Sequence, residues 1–118
     1  MGVVLLTGST GFVGRQIHKM LAARGHDVRV VVRAGSEDRI SVPTVSRNIV
    51  VTPDLFRAST SWWADVCEGV ECVVHAAWFL KPGAYLDAPE NVACVAGSFA
   101  LAEGATAAGV EHFVGVGT

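Results

Sequence analysis

The chain has 118 residues, of which 51% are hydrophobic, and its formal net charge of −2 argues against nucleic acid as a main partner. No apolar run reaches the roughly 20 residues that a membrane-spanning helix needs. Met1-Gly2 is followed by neither a cationic segment nor a cleavage site. We therefore expect neither a membrane partner nor a secretory signal. Cys67, Cys72 and Cys94 lack C-x-x-C spacing, which favours buried thiols in the reducing cytoplasm.

The first fourteen residues carry the strongest signal. The apolar run Val3–Leu6 leads directly into Thr7-Gly8-Ser9-Thr10-Gly11-Phe12-Val13-Gly14, a G-x-x-G-x-x-G spacing. Glycines let the backbone turn sharply and approach a phosphate, and a following helix N-terminus presents N–H groups to that anion. The pattern predicts a pyrophosphate site, with a purely structural glycine turn as the alternative.

The rest of the chain alternates predicted strands with predicted helices. We predict strands at about 2–7, 28–32, 49–52, 72–75 and 112–116, and helices at about 12–24, 60–67 and 90–108. Two prolines and a glycine mark 78–89 as a loop. This alternation predicts an α/β fold in which a parallel sheet of about five strands carries helices on both faces.

Ligands of such sheets bind outside the carboxyl ends of the strands. After the second strand, an NAD site usually carries an acid for the adenosine ribose, but this strand is followed by Arg33. A guanidinium can bind a 2′-phosphate bidentately, so we favour NADP over NAD. The alternatives are a solvated Arg33, or Glu37 or Asp38 as the missing acid, although both come late in the sequence.

Two further strand ends carry candidate residues. After the third strand, Asp54 and Leu55 could close over an adenine ring, and a helix N-cap is the alternative for Asp54. After the fourth strand, the small residues Ala76 and Ala77 allow close approach of a cofactor. His75 before them is, taken alone, more typical of a structural histidine.

The predicted helix 90–108 has an apolar stripe and many small residues that permit close helix packing. The stripe comprises Val92, Val95, Phe99, Ala102 and Ala105 or Thr106. Asn91 is polar at the start of this apolar element, so its amide needs a partner if it is buried. We take Asn91 as a candidate structural bridge in the site.

These motifs occur in a specific order: Thr7–Gly14, Asp54-Leu55, Val73–Ala77, Asn91-Val92 and Gly109–Thr118. As a set they resemble, over the whole chain, the extended branch of the short-chain dehydrogenase/reductase superfamily, the NAD-dependent epimerase/dehydratase family. The resemblance implies a three-layer, doubly wound Rossmann-type sheet, truncated after strand five. The chain is similar to members associated with nucleotide-sugar and surface-polysaccharide metabolism.

The resemblance also implies residue roles. Asn91 would support the active-site proton relay, and Thr118 falls where the family places its catalytic serine or threonine. Ala76 and Ala77 would pass beside the nicotinamide ribose, with His75 next to them. Asp54 and Leu55 would contact adenine. The pyrophosphate would be held by Gly8, Ser9, Thr10, Gly11, Phe12, Val13 and Gly14. No residue is assigned to a metal.

The implied activity is hydride transfer at a hydroxyl or keto carbon of a nucleotide sugar, by an NAD(P)-dependent epimerase, dehydratase or reductase. The family's acid/base tyrosine lies in a downstream Tyr-x-x-x-Lys, whereas Tyr85 here is followed four residues later by Pro89. We therefore expect residues 1–118 to be the cofactor-binding part of a larger enzyme, inactive alone and homodimeric through the helix 90–108. The alternative is a non-catalytic, redox-sensing NAD(P)-binding regulator of the same fold.

Overall fold

A computed structural model describes residues 2–78 and 90–116 of the chain. The strands are β1 Val3–Thr7, β2 Asp27–Arg33, β3 Ile49–Thr52, β4 Val70–His75 and β5 His112–Gly115. The helices are α1 Phe12–Ala23, α2 Thr60–Val66 and α3 Glu90–Ala107. Short 3-10 turns cover Glu37–Arg39, Ser46–Asn48 and Leu55–Arg57. The predicted elements are all present, with ends shifted by one or two residues.

The five strands form one sheet in the order β3-β2-β1-β4-β5, and every pairing is parallel. This order matches the first five strands of the 3-2-1-4-5-6 Rossmann arrangement. The predicted α/β class and doubly wound parallel sheet are therefore confirmed. Because β1 is central, the residues that follow it are flanked by the carboxyl ends of β2 and β4.

Side chains alternate between two buried faces of the sheet, as the period-2 geometry of a strand requires. Leu5, Val31 and Val73 pack on one face with Trp63 of α2 and Leu101 of α3. The opposite face is formed by Leu6, Val28, Val30 and Val32, with Ile17 and Leu21 of α1 packed against it. Consecutive apolar residues in a strand thus serve different layers, which explains the continuous Val/Leu runs.

Helix α1 does not bury all the apolar residues that occur at helical spacing. Ile17 and Leu21 pack on the sheet, but Phe12 is 80% exposed and Met20 57% exposed, and the buried residues of α1 are Gly14 and His18. The glycine turn explains why Gly14 and His18, and not Phe12 or Met20, are the buried residues of this helix. Gly14 must lie against the carbonyl of Gly8, and a residue four positions later shares its helix face.

Helix α3 packs through its small residues. A Cβ on Gly97 would lie 2.6 Å from the Phe56 Cα, and one on Gly104 would lie 2.5 Å from the Trp63 Cβ. Of the predicted apolar stripe, Ala105 is buried, whereas Val92, Val95 and Phe99 are exposed by 74%, 46% and 66%. The expected close packing is present, and it turns most of the stripe outward. Within residues 2–78 and 90–116, no helix is both long and apolar enough to cross a membrane.

Candidate functional site

The glycine turn between β1 and α1 is folded tightly on itself. Gly8 has a φ of +76°, a conformation that L side chains rarely adopt. The Gly11 N–H donates to the Gly8 carbonyl at 3.1 Å, and any Cβ on Gly14 would overlap that same oxygen. The geometry of the turn therefore requires glycine at positions 8 and 14, whereas a Cβ on Gly11 would lie 3.4 Å from the Gly8 carbonyl, in ordinary contact.

The N-terminus of α1 is open at this turn. Gly11 is the N-cap residue, and no side chain caps the helix. The first N–H groups of a helix have no intrahelical partner and carry a partial positive charge. The Ser9 hydroxyl beside them is buried, and within the described residues it has no hydrogen-bond partner. An uncapped helix end and an unsatisfied buried hydroxyl fit the pyrophosphate of a dinucleotide.

The turn after β4 lies directly on the glycine turn. A Cβ on Gly8 would meet the Ala76 carbonyl carbon and the Ala77 nitrogen, each at 2.7 Å. The Ala76 N–H also reaches the Thr7 carbonyl at 3.3 Å. The structure therefore brings Ala76 and Ala77 beside the glycine motif, as expected for the carboxyl ends of neighbouring parallel strands.

A buried hydrogen-bond network fixes this arrangement. The Ser98 hydroxyl donates to the Cys94 carbonyl at 2.8 Å, so it accepts from His75 Nε2, also at 2.8 Å. His75 Nδ1 then carries no proton and accepts from the Thr7 hydroxyl at 2.6 Å. The network ties β1 and β4 to α3 through a neutral imidazole.

The Thr7 oxygen completes the network at the turn after β4. It accepts from the N–H groups of Ala76 at 3.1 Å and Ala77 at 3.2 Å. Burial lowers the pKa of His75 to about 4, which keeps the ring neutral at physiological pH. Both ring nitrogens of His75 are taken by protein groups, so His75 acts on the site through Thr7.

Thr7 and Ser98 were not among the candidate residues from the sequence. A signal for Thr7 exists: it is a polar residue that ends the apolar run of β1, on the same face as Leu5. Its partner in the β1–β4 register is His75, the polar residue that ends β4. Pairing the two strand ends would have found the contact, but Ser98 could be found only once α3 was placed.

Arg33 ends β2 and is exposed, and among the described residues its guanidinium has no partner. The Ser36 N–H donates to the Arg33 carbonyl at 2.9 Å, which closes a turn. In this turn Gly35 has a φ of +92°, and its N–H donates to Glu37 Oε1 at 2.7 Å. At the end of β2, an Arg33 guanidinium that has no partner among the described residues is therefore followed two positions later by a backbone N–H that is already hydrogen-bonded.

Asp54 caps the short 3-10 turn after β3. It accepts from the Phe56 N–H at 3.0 Å and forms an ion pair with Arg57 at 3.5 Å. The capping role that the sequence left open for Asp54 is therefore present. Leu55 is half-buried and packs against the core cluster that contains Leu5. A contact of either residue with adenine stays a prediction.

Asn91 lies in the first turn of α3. Its Oδ1 accepts from the Trp78 indole N–H at 2.9 Å. Segment 79–89 lies between these two residues in the sequence. That segment, with Tyr85, lies outside the described residues, and so does Thr118. The catalytic assignments of Thr118 and Asn91 stay predictions. No group of three metal-ligating side chains occurs in the described parts of the chain.

Comparison with known proteins agrees with this geometry. A family model described as "NAD dependent epimerase/dehydratase family" matches residues 4–118. The chain is 28% identical over 75 residues to the dTDP-6-deoxy-L-talose 4-dehydrogenase (NAD(+)) of Aggregatibacter actinomycetemcomitans. That match covers 64% of this chain and 27% of the relative.

Two solved structures extend the comparison. The structure of gox2253 is 31% identical with a TM-score of 0.77, over 98% of this chain and 34% of that one. A short-chain dehydrogenase/reductase superfamily protein from Agrobacterium tumefaciens, solved with bound NAD, is 28% identical with a TM-score of 0.67. The match covers 96% of this chain and 31% of that one. The chain thus spans about a third or less of the length of these proteins.

Proposed function

Because the chain belongs to the NAD-dependent epimerase/dehydratase family, we propose that residues 1–118 form the dinucleotide-binding domain of an NAD(P)-dependent epimerase, dehydratase or reductase. The observation that carries this proposal is the turn from Gly8 to Gly14, which delivers an uncapped helix N-terminus to the carboxyl edge of the sheet. The family and the NAD-bound relative support a nicotinamide dinucleotide as the cofactor.

The glycine turn would hold the pyrophosphate. Backbone N–H groups at the start of α1 and the buried Ser9 hydroxyl would be its donors. Ala76 and Ala77 would run beside the nicotinamide ribose, held in place by Thr7. When bound, the dinucleotide supplies or accepts the hydride. The proposed pyrophosphate residues are Gly8, Ser9, Thr10, Gly11, Phe12, Val13 and Gly14.

At the adenosine end, we place the 2′-phosphate of NADP at Arg33. Arg33 is exposed and unpartnered within the described residues, and no acid directly follows β2. The relative from A. actinomycetemcomitans is named as using NAD(+), and the A. tumefaciens structure contains NAD. A preference of this chain for NADP would therefore distinguish it from these two relatives. Asp54 and Leu55 would contact adenine.

The proposed substrate is a nucleotide sugar that exchanges a hydride at a hydroxyl or keto carbon. The name of the curated relative, a dTDP-sugar 4-dehydrogenase, supports this class. Asn91 would support the proton relay, and the Thr118 hydroxyl would bind the reacting oxygen. Since the relative is about four times as long as the matched segment, we place the substrate domain and the acid/base tyrosine beyond residue 118. The chain alone would then be inactive.

We further propose a homodimer that pairs through α3. Val92, Val95 and Phe99 form an exposed apolar strip on this helix, the kind of surface that marks an association site. A cytoplasmic location fits the three free thiols, Cys67, Cys72 and Cys94, of which Cys67 and Cys94 are buried.

Titration calorimetry with NADPH and NADH tests the proposal. Gly11→Ala is the informative variant, because its Cβ would lie 3.4 Å from the Gly8 carbonyl and so spares the fold, whereas Gly14→Ala would not. We expect tighter binding of NADPH than of NADH, and a loss of at least about tenfold in Gly11→Ala. Met20→Ala, on the exposed face of the same helix, is the matched control and should bind normally.

The outcomes separate the parts of the proposal. A preference for NADH would contradict the role of Arg33 and leave the glycine turn intact as a site. If the parent chain binds neither cofactor while circular dichroism shows it folded, these residues do not form a dinucleotide site by themselves.

A further inference from the structure

In the turn that follows β2, the backbone N–H of Gly35 contacts the carboxylate of Glu37. Arg33 and Ser36 close the turn through one hydrogen bond, and Gly35 takes its third position with a φ of +92°, as in a type II turn. This geometry leaves the Gly35 N–H outside the turn's own hydrogen bond. The Glu37 carboxylate folds back and accepts from it at 2.7 Å, a short, charge-assisted contact.

The neighbouring cation has no such partner. Within the described residues, the Arg33 guanidinium makes no hydrogen bond or ion pair, although Glu37 lies four positions away in the sequence. The carboxylate of Asp38, the next acid in the same 3-10 turn, makes neither kind of contact in the described part of the chain. Glu37 thus differs from Asp38 because its carboxylate accepts a hydrogen bond from the Gly35 N–H.

We propose that the Glu37 carboxylate is a specificity-determining group that competes with the 2′-phosphate of NADP for the turn at Arg33 and Gly35. This inference rests on the proposed dinucleotide site. A phosphate bound by Arg33 arrives at a turn whose outward N–H already bonds an anion. It would displace the carboxylate or bind near it, and like charges repel. The ribose hydroxyls of NAD carry no charge and avoid this repulsion.

Glu37→Gln separates charge from shape, because the amide keeps the size and the acceptor oxygen of the side chain but removes the charge. We expect NADPH to bind about fivefold to tenfold more tightly, and NADH affinity to change by less than about twofold. Asp38→Asn is the matched control, since it removes the same charge one residue away from a side chain that makes no contact with the Gly35 N–H. It should change the NADPH to NADH affinity ratio by less than about twofold.

The same titrations on Arg33→Ala and on the double variant Arg33→Ala/Glu37→Gln test the mechanism. If the carboxylate competes with a phosphate held by Arg33, the gain from Glu37→Gln shrinks when Arg33 is absent. Calorimetry gives both affinities, and thermal unfolding confirms that each variant is folded.

Three results would overturn the inference. In the first, Glu37→Gln leaves the affinity ratio unchanged. In the second, it weakens NADH binding alone, which would make Glu37 a ribose acceptor. In the third, Asp38→Asn has an equal effect, which would reduce the result to net charge. Absence of binding by every form would instead refute the dinucleotide site itself, and this inference with it.

Discussion

The Thr7 hydroxyl donates a 2.6 Å hydrogen bond to His75 Nδ1 between paired residues of β1 and β4. The same oxygen accepts from the Ala76 and Ala77 N–H groups, and His75 is held from its other side by Ser98. Every polar group of this buried network has a partner, which is the condition under which such networks rigidify a structure. The two turns that would flank the cofactor are thus joined by one hydroxyl.

Replacing Thr7 by valine should destabilise the fold by about 2–4 kcal/mol, because it leaves His75 Nδ1 and the Ala77 N–H buried without partners. Thr7→Ser keeps the hydroxyl and should recover most of the loss. Urea unfolding monitored by circular dichroism measures both. Thr106→Val, which removes an exposed hydroxyl bonded to the Ala102 carbonyl, is the control and should cost less than about 1 kcal/mol. Equal stabilities for Thr7→Val and Thr7→Ser would contradict the role of the network.

The stability of the chain should fall in mild acid because of His75. Burial lowers its folded pKa to about 4, against about 6.5 in an unfolded chain. The unfolded state therefore binds more protons between these values, so this contribution is complete above pH 6.5 and is lost as the pH falls towards 4. His18, whose pKa burial also lowers, acts in the same direction.

For His75 alone, we expect the free energy of unfolding to fall by about 2 kcal/mol between pH 7.5 and pH 5. Denaturant titrations at both pH values measure this drop. In His75→Asn the drop should be smaller by that amount. Nitrogen NMR of the parent chain at pH 6 should show the Nε2–H tautomer of His75. A charged ring at that pH would refute the assignment.

Phe99→Glu should weaken self-association through α3 by at least about tenfold, because it places a charge in the centre of the exposed apolar strip. Folding stability should change by less than about 0.5 kcal/mol, since the side chain is 66% exposed. Sedimentation equilibrium measures the association. Met20→Glu, on an exposed site of α1, should leave it unaltered. A parent chain that is monomeric at high concentration would rule out this dimer.

Much of the fold could be predicted from local patterns. The continuous apolar runs of β1, β2 and β4 indicate strands buried on both faces, and the alternation with helices dictates parallel pairing. The position of the glycine turn follows from the same patterns, because a glycine motif between a strand and a helix can lie only at the carboxyl edge. The roles of the individual site residues stay predictions until a ligand is bound.

Helix faces were harder to predict. Periodicity in α1 and α3 identifies apolar positions but not the neighbour that each helix meets. In α1 the close contact of Gly14 with Gly8 sets the rotation and exposes Phe12. In α3 the approach of Gly97 to the backbone of Phe56 turns Phe99 outward. Steric limits at single glycines outweighed the hydrophobic pattern, because backbone overlap costs more than an exposed side chain gains by burial.

The sequence by itself determined the class of fold, the place of the glycine turn and the set of residues that follow each strand, since all of these depend on local spacing. The tertiary structure alone decided which of those residues meet. Thr7, His75 and Ser98 are separated by 68 and 23 positions, yet they form one network because strand register and helix placement bring them within hydrogen-bond range. The contact of Glu37 with Gly35 is local, but a side chain's choice among nearby donors depends on the conformation of the turn, which became visible only in the folded chain.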